Sequence, residues 1–335
     1  MIQLLSNLCP VHKKQRYKII SGENKSVFLF IFHRSKFMKK STFVCIKKYH
    51  VVMEIRNLEN VNFDVIFRAF EEAFADYAVK FSENQIRAML IRRGFNPVLS
   101  FAVFNAGCIV AFTLNGTGVY KGVQTAYDTG TGTLKAYRGM GLAQEIFHHS
   151  IPFLKQNGIE QYLLEVLEDN EKAISVYRKL GFKVTREFNC FNQRKEDVHI
   201  GLSNSAIDCR IVRMDMEKVV ALPNFCDFHP SWQNGLESIR RAGKNMICLT
   251  ASVGSDIVGY CIFEPAFGDL TQIAVAPSFR RKGIASLLLK EMLRMNDADT
   301  IKVLNVDAPC CDMTSFLRSK NIHITNKQFE MTKLL

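Results

Sequence analysis

The stretch Thr129–Ala143, TGTGTLKAYRGMGLA, reads as a strand that runs into a tight loop and then a helix. Its centre is the pattern Arg138-x-x-Gly141-x-Ala143. Glycines and a small residue at that spacing let backbone N–H groups come close to an anion, and the helix that follows, Leu142 to Asn157, aims its positive dipole end at the same place. One such pattern also suits an ordinary glycine turn. A second copy gives it weight. Leu270, Gln272, Ile273 and Val275 lie on an apolar strand-like run, Ala276-Pro277 follows, Arg280–Ala285 reads RRKGIA, and the amphipathic run SLLLKEMLRM comes next. Arg280 stands 142 positions after Arg138, so strand, loop and helix occur twice.

This arrangement resembles the GNAT superfamily of acetyl-CoA-dependent N-acyltransferases, whose fourth strand ends in V-x-P-x-x-[RQ]-x-x-G-x-[GA]. Val275, Pro277, Arg280, Gly283 and Ala285 match throughout, whereas Thr133 and Lys135 stand at the Val and Pro places of the first copy. The resemblance implies an α/β (α+β) chain of two tandem GNAT folds, each a mixed, mostly antiparallel central sheet flanked by helices. It also implies acetyl-CoA as the cofactor. The cofactor-binding positions would be Thr133, Leu134, Arg138, Gly139, Met140, Gly141, Leu142, Ala143 and Asn170 in the first copy. In the second they would be Ile273, Val275, Arg280, Arg281, Lys282, Gly283, Ile284 and Ala285.

Length fits this count, since 335 residues suffice for two domains of ordinary size. The net charge of +12 would suggest a nucleic-acid or membrane partner, but it is unevenly placed. Residues 1–52 carry eleven Lys or Arg against the single acid Glu23, which leaves the remaining chain at only +2. Nucleic acid is therefore not the partner expected for the rest of the chain. Ten cysteines without a C-x-x-C pair or zinc-like spacing indicate thiols in a reducing, cytoplasmic setting and no metal. No apolar run approaches the roughly 20 residues a membrane span requires.

Residues 1–52 lack a clear period and stop just before Met53-Glu54-Ile55-Arg56, which reads as an opening strand. Three readings fit them: a targeting or transit-like leader, a nucleic-acid-binding arm, or an upstream stretch included because the start codon is set too early, with Met53 as the true start; the last is favoured, and the stretch is not expected to belong to the fold. Phe63, Ile66, Phe67, Phe70, Ala73 and Phe74 then recur at helical spacing, and a second helix opens at Ser82 with Gln85 placed for a capping box and stops at Gly94. Val98–Phe104 and Cys108–Leu114 read as a hairpin around Asn105-Ala106-Gly107. The boundaries expected are a catalytic domain over 53–191, a linker over 192–209 where the sequence turns polar, and a second, degenerate domain over 210–335. Trp232 has a packing role by default and an acceptor-pocket wall as the alternative.

Acetylating an amine requires that the ammonium lose a proton and the departing thiolate gain one. The first copy reads L-E-V-x3-N-x2-A-x3-Y-x3-G-F from Leu164 to Phe182, closely resembling the ribosomal-protein N-terminal alanine acetyltransferases and their relatives. That resemblance implies Glu165 as general base, Asn170 as a cofactor contact and Tyr177 as the acid for the CoA sulfur. Glu165 also fits a solvated strand residue and Tyr177 a core position, and Glu168 and Asp169 are rival carboxylates. In the second copy Asn305 takes the place of Glu165, Cys310 that of Asn170 and Leu317 that of Tyr177, so the proton-moving groups are lost. The expectation is an N-acetyltransferase acting through its first domain on a small-molecule or peptide amine; the alternative is a non-catalytic acyl-CoA-binding, sensing or scaffold protein. A P-loop NTPase is excluded because neither loop carries Lys-[Ser/Thr], and no G-x-G-x-x-G follows a first strand as a dinucleotide site demands.

Overall fold

A computed structural model of the chain describes residues 15–22, 25–33, 48–76, 80–201 and 208–335. It divides into two compact units, one built from residues up to 81 with 97–114 and 130–153, the other from 82–96, 115–129 and 154–335.

In the first unit β3 (Lys48–Asn57) pairs antiparallel with β4 (Phe101–Asn105), and β4 with the start of β5 (Cys108–Tyr120). Ala106 and Gly107 make the β4–β5 turn with φ of 48° and 81°, the left-handed pair that a two-residue hairpin requires. Helix α1 (Phe63–Ala73), capped by the Asn62 side chain on the Asp64 N–H, buries Ile66, Ala69, Phe70 and Ala73. Gly132, near the end of β6 (Val123–Thr133), is obligatory: a Cβ there would sit 2.5 Å from the Phe112 ring. Helix α3 (Leu142–Gln156) sends Leu142 and Ile146 into a core with Met53, Ile55, Phe101, Val103 and Val110.

The segment before Met53 departs from expectation. Strands β1 (Gln15–Gly22) and β2 (Lys25–His33) form a hairpin, and β2 pairs along β3 from Ser26↔Ile55 to His33↔Lys48. The apolar run Val27–Phe32, too short for a membrane span, is long enough for a strand. The parts of that expectation falling on residues 1–14, 23–24 and 34–47 lie outside the described residues.

The second unit opens with α2 (Glu83–Arg93), where the capping box between Ser82 and Gln85 forms and Gly94 closes the helix at φ 77°. Its strands are the rest of β5 and β6, then β7 (Gln161–Leu167), β8 (Lys183–Arg194), β9 (Arg210–Met214), β10 (Ile247–Val253), β11 (Asp256–Glu264), β12 (Asp269–Val275), β13 (Thr300–Asp307) and β14 (His323–Leu334). Helices α4 (Glu171–Lys179), α5 (Leu236–Ala242), α6 (Ile284–Met295) and α7 (Cys311–Ser319) complete it. Among the strand pairings described, β6 with β7 at Thr125–Tyr127 and β12 with β13 at Asp269↔Lys302 are parallel and the others antiparallel. A small cavity between β12 and β13 is lined by Leu270, Ile273, Val303 and Val306.

The closing strands of the two repeats are exchanged. β14 lies between β7 and β8, and β8 lies between β14 and β13. The polar stretch after Asn192 therefore separates the repeats along the chain without separating their strands; of that linker, residues 202–207 lie outside the described residues. Leu270, Ile284, Leu288, Met292, Ile301 and Leu317 centre the second repeat's core. The fold is thus α+β, mixed and mostly antiparallel.

Candidate active site

The two loops share one construction. In the first unit a 3₁₀ turn over Lys135–Tyr137 leads to Arg138, and Gly139 and Gly141 adopt φ of 73° and 75° before α3 begins. Arg138 Nε donates to the Thr133 carbonyl (3.2 Å), Nη2 to the Ala73 carbonyl (2.9 Å), and Nη1 to Asp76 Oδ2 (2.9 Å). In the second unit Pro277–Phe279 form the 3₁₀ turn, Arg281 and Gly283 take φ of 61° and 86°, and α6 follows. Arg280 Nε donates to the Val275 carbonyl (3.0 Å), with Nη2 reaching the Phe225 carbonyl (3.4 Å) and Asp227 (2.7 Å). In both, the guanidinium fork clamps the strand five residues back to a carboxylate-bearing segment.

Arg138 is therefore placed differently from expectation. Its guanidinium braces the loop through Asp76, whose carboxyl it holds below the usual range by hydrogen bonding, where a cofactor contact was expected. Leu134 is buried with its N–H on the Val110 carbonyl, and Met140 and Leu142 are buried in the core, so these three present backbone at most. Thr133 and Ala143 are half-buried and Gly139 is exposed. A Cβ at Gly139 would meet nothing within 4 Å, which leaves room over the loop backbone for a diphosphate. In the second repeat Ile273, Val275 and Ile284 are buried, Gly283 and Ala285 half-buried, and Arg281 and Lys282 exposed.

Glu165 projects from β7 between buried Leu164 and Val166. It is half-buried as a residue, and its carboxylate is held inside. Oε2 accepts hydrogen bonds from Gln233 Nε2 and Asn305 Nδ2, both at 2.7 Å. Oε1 is sealed from solvent and has no partner among the described residues. Burial is the largest influence on this carboxyl and raises its pKa above 4.5, while the nearby Arg93 charge and the Asn305 hydrogen bond pull the other way. Of the surface and base readings the sequence leaves open, the solvated one does not hold.

Tyr177, half-buried on α4, donates its hydroxyl to Asp128 Oδ2 on β6 at 3.2 Å and packs edge-on to Phe182. Asn170 caps α4, its Oδ1 accepting from the Ala173 N–H at 3.2 Å; the counterpart Cys310 sits at the cap of α7 without a side-chain bond. Glu165 and Tyr177 are held by different partners. Trp232 packs, stacked on Tyr127 with centroids 5.2 Å apart and its indole N–H on the Arg93 carbonyl, and it also lines a cavity with Tyr120, His229 and Arg241, so both readings of it stand.

Sequence reasoning missed Asp128, Gln233 and the part played by Asn305. Asp128 carried a signal, being the one carboxylate in Val123–Thr133. Gln233 and Asn305 carried none, since both reach Glu165 from more than 60 residues away.

Residues 63–182 match the acetyltransferase (GNAT) family, and residues 244–316 match the acetyltransferase (GNAT) domain; together the matches take in more than half of the chain. Over 87 residues the chain is 30% identical to N-alpha-acetyltransferase 30 of Schizosaccharomyces pombe, covering 26% of this chain and 58% of that protein. It is also 30% identical over 86 residues to N-alpha-acetyltransferase MAK3 of Arabidopsis thaliana, covering 26% and 45%. The chain thus spans about half the length of the curated relatives it matches. Among solved structures, a tandem GNAT protein from the clavulanic acid biosynthesis pathway is similar with a TM-score of 0.64 at 13% identity, over 84% of this chain and 98% of its own. A GCN5-related N-acetyltransferase from Sphaerobacter thermophilus gives 0.61 at 14%, over 84% and 95%. At such identities the likeness is one of fold.

Proposed function

Because the chain belongs to the GNAT family of acetyltransferases, we propose that it transfers an acetyl group from acetyl-CoA to a primary amine, with the chemistry in the first repeat. Acetyl-CoA, when bound, supplies a thioester carbonyl that a neutral amine can attack. The observation that carries the reading is the Glu165 carboxylate: buried, raised in pKa and left with one oxygen, Oε1, without a protein partner. A raised carboxyl is a stronger base, and the unpartnered Oε1, closed to solvent, would receive the ammonium proton through an intervening water. Tyr177 holds a proton at Oη, donated to Asp128, which would turn from that carboxylate to the departing sulfur. The loop Arg138–Ala143 offers backbone to the diphosphate, and the loop Arg280–Ala285 of the second repeat, built in the same way, offers the same.

The acceptor class best supported is a peptide α-amine. Both curated relatives are named N-alpha-acetyltransferases. An α-amine, with a pKa of about 7.7–8.0 against about 10.4 for a lysine, also gives up its proton more readily to a carboxylate near neutrality. The boundaries proposed are a catalytic repeat over 53–191 and a non-catalytic repeat over 210–335. Among the described residues no helix is long and apolar enough to cross a membrane. The eight cysteines there are free thiols, which suits the reducing, cytoplasmic setting proposed here. The test is acetyl-CoA consumption by the full chain against N-terminal peptides and small amines, with acetylated product identified by mass. Turnover on no amine, with acyl-CoA still bound, would leave the sensing protein as the function.

A further inference from the structure

Asn305 occupies in the second repeat the place Glu165 holds in the first, and the two counterparts touch: Asn305 Nδ2 donates to Glu165 Oε2 at 2.7 Å. Both residues lie in the second compact unit. Asn305 is fully buried, and its amide is fixed from both ends. The nitrogen also donates to Ser231 Oγ at 3.0 Å, and the carbonyl accepts from the Cys190 thiol at 3.7 Å. Burial pushes that thiol up to about 11, so it stays a donor through neutral pH. The backbone is shaped for the contact as well. The β13–β8 register shifts between Val303 and Val306, and Asn305 sits in the shift at φ 59°. A bulge re-aims a side chain, and asparagine is among the few residues that accept left-handed backbone.

We propose that Asn305 is a positioning residue for the acetyl transfer: with Gln233 it pins Oε2 of Glu165 and leaves Oε1 as the oxygen that takes the amine's proton. This rests on Glu165 being the base. The inference also gives the loss of a carboxylate at 305 a purpose. A second acid there would set two like charges at hydrogen-bond distance, and one of the pair would stay protonated. The second repeat has thus exchanged its own base for a donor to the first repeat's base.

The groups facing Glu165 from the packed elements are Arg93 on α2, Tyr127 on β6, Tyr120 on β5, Cys190 on β8 and Glu330 on β14. Arg93 is itself tied to Gln233 Oε1 at 2.9 Å. The hydrogen bond from Asn305 favours the ionised carboxylate; without it the base must ionise at higher pH.

The test titrates the Glu165 carboxyl by carbon NMR in the full chain and measures the acid limb of kcat/KM beside it. Two variants are compared with the parent: Asn305→Asp keeps the side-chain shape, and Asn305→Gly keeps the backbone at ease if the first fails to fold. The expected result is that both readouts move upward together, by about one unit or more in Asn305→Asp, the range of a like-charge neighbour. A Glu165 midpoint that stays put in either folded variant overturns the inference. A midpoint that moves while the kinetic limb does not upholds the positioning contact and instead overturns Glu165 as the base.

Discussion

Gly141 turns the chain into α3 at φ 75°, where a side chain costs about 1–2 kcal/mol in backbone strain alone and a β-branched one more. Gly141→Val should therefore distort the loop backbone before it changes anything else. The expected outcome is a raised acetyl-CoA KM and weakened CoA affinity by titration calorimetry, with the melting temperature lowered only a little; unaltered affinity would show that the loop does not hold the diphosphate. The glycine pattern was legible in sequence because left-handed backbone is a local demand with a local signature. Glu165 was legible as a position and not as an environment. Its donors Gln233 and Asn305 come from distant parts of the chain, and nothing in L-E-V records that the glutamate is roofed over.

At the scale of elements, the exchanged strands β8 and β14 carry the main energetic consequence. Along their seam Arg186 Nη2 meets Glu330 Oε2 at 2.6 Å and Nε meets Oε1 at 3.0 Å, while the Tyr120 hydroxyl donates to Oε2 at 3.0 Å. Burial raises the Glu330 carboxyl, and the Arg186 hydrogen bonds and charge more than reverse this, leaving it below 4.5. A carboxyl depressed in the folded state stabilises the fold above its unfolded value and loses that contribution as pH falls through the folded one. Stability should accordingly drop below about pH 4.5 in denaturant melts, and Glu330→Gln should flatten that part of the curve; an unchanged acid slope would remove the seam from the account. Met331, also on β14, is fully buried, and Met331→Ala should cost about 2–5 kcal/mol in the same melts. The helix α2 was read correctly from Ser82, Gln85 and Gly94 because capping is settled within four residues. The exchange was not readable. β8 and β14 close their repeats in the same way, and an alternating strand does not encode which neighbour it will pair with.

Taken whole, the molecule repeats one loop construction, and the proton-moving groups proposed for it stand in the first repeat. The duplicated Arg138 and Arg280 clamps show the same loop architecture in both repeats, whereas the second repeat has Asn305 and Leu317 at the positions aligned with Glu165 and Tyr177. The chemistry should then be asymmetric even though the fold is repeated. The most direct measurement compares steady-state acetyl transfer to an N-terminal peptide by the full chain, by Tyr177→Phe and by Gly283→Val. Tyr177→Phe keeps the ring against Phe182 and removes the proton, so kcat should fall by something on the order of 10² to 10⁴ with CoA affinity kept, the cost of a lost general acid. Gly283→Val, in the second loop, should leave kcat within a few-fold. Full turnover in Tyr177→Phe together with its loss in Gly283→Val would contradict the account and place the chemistry in the second repeat.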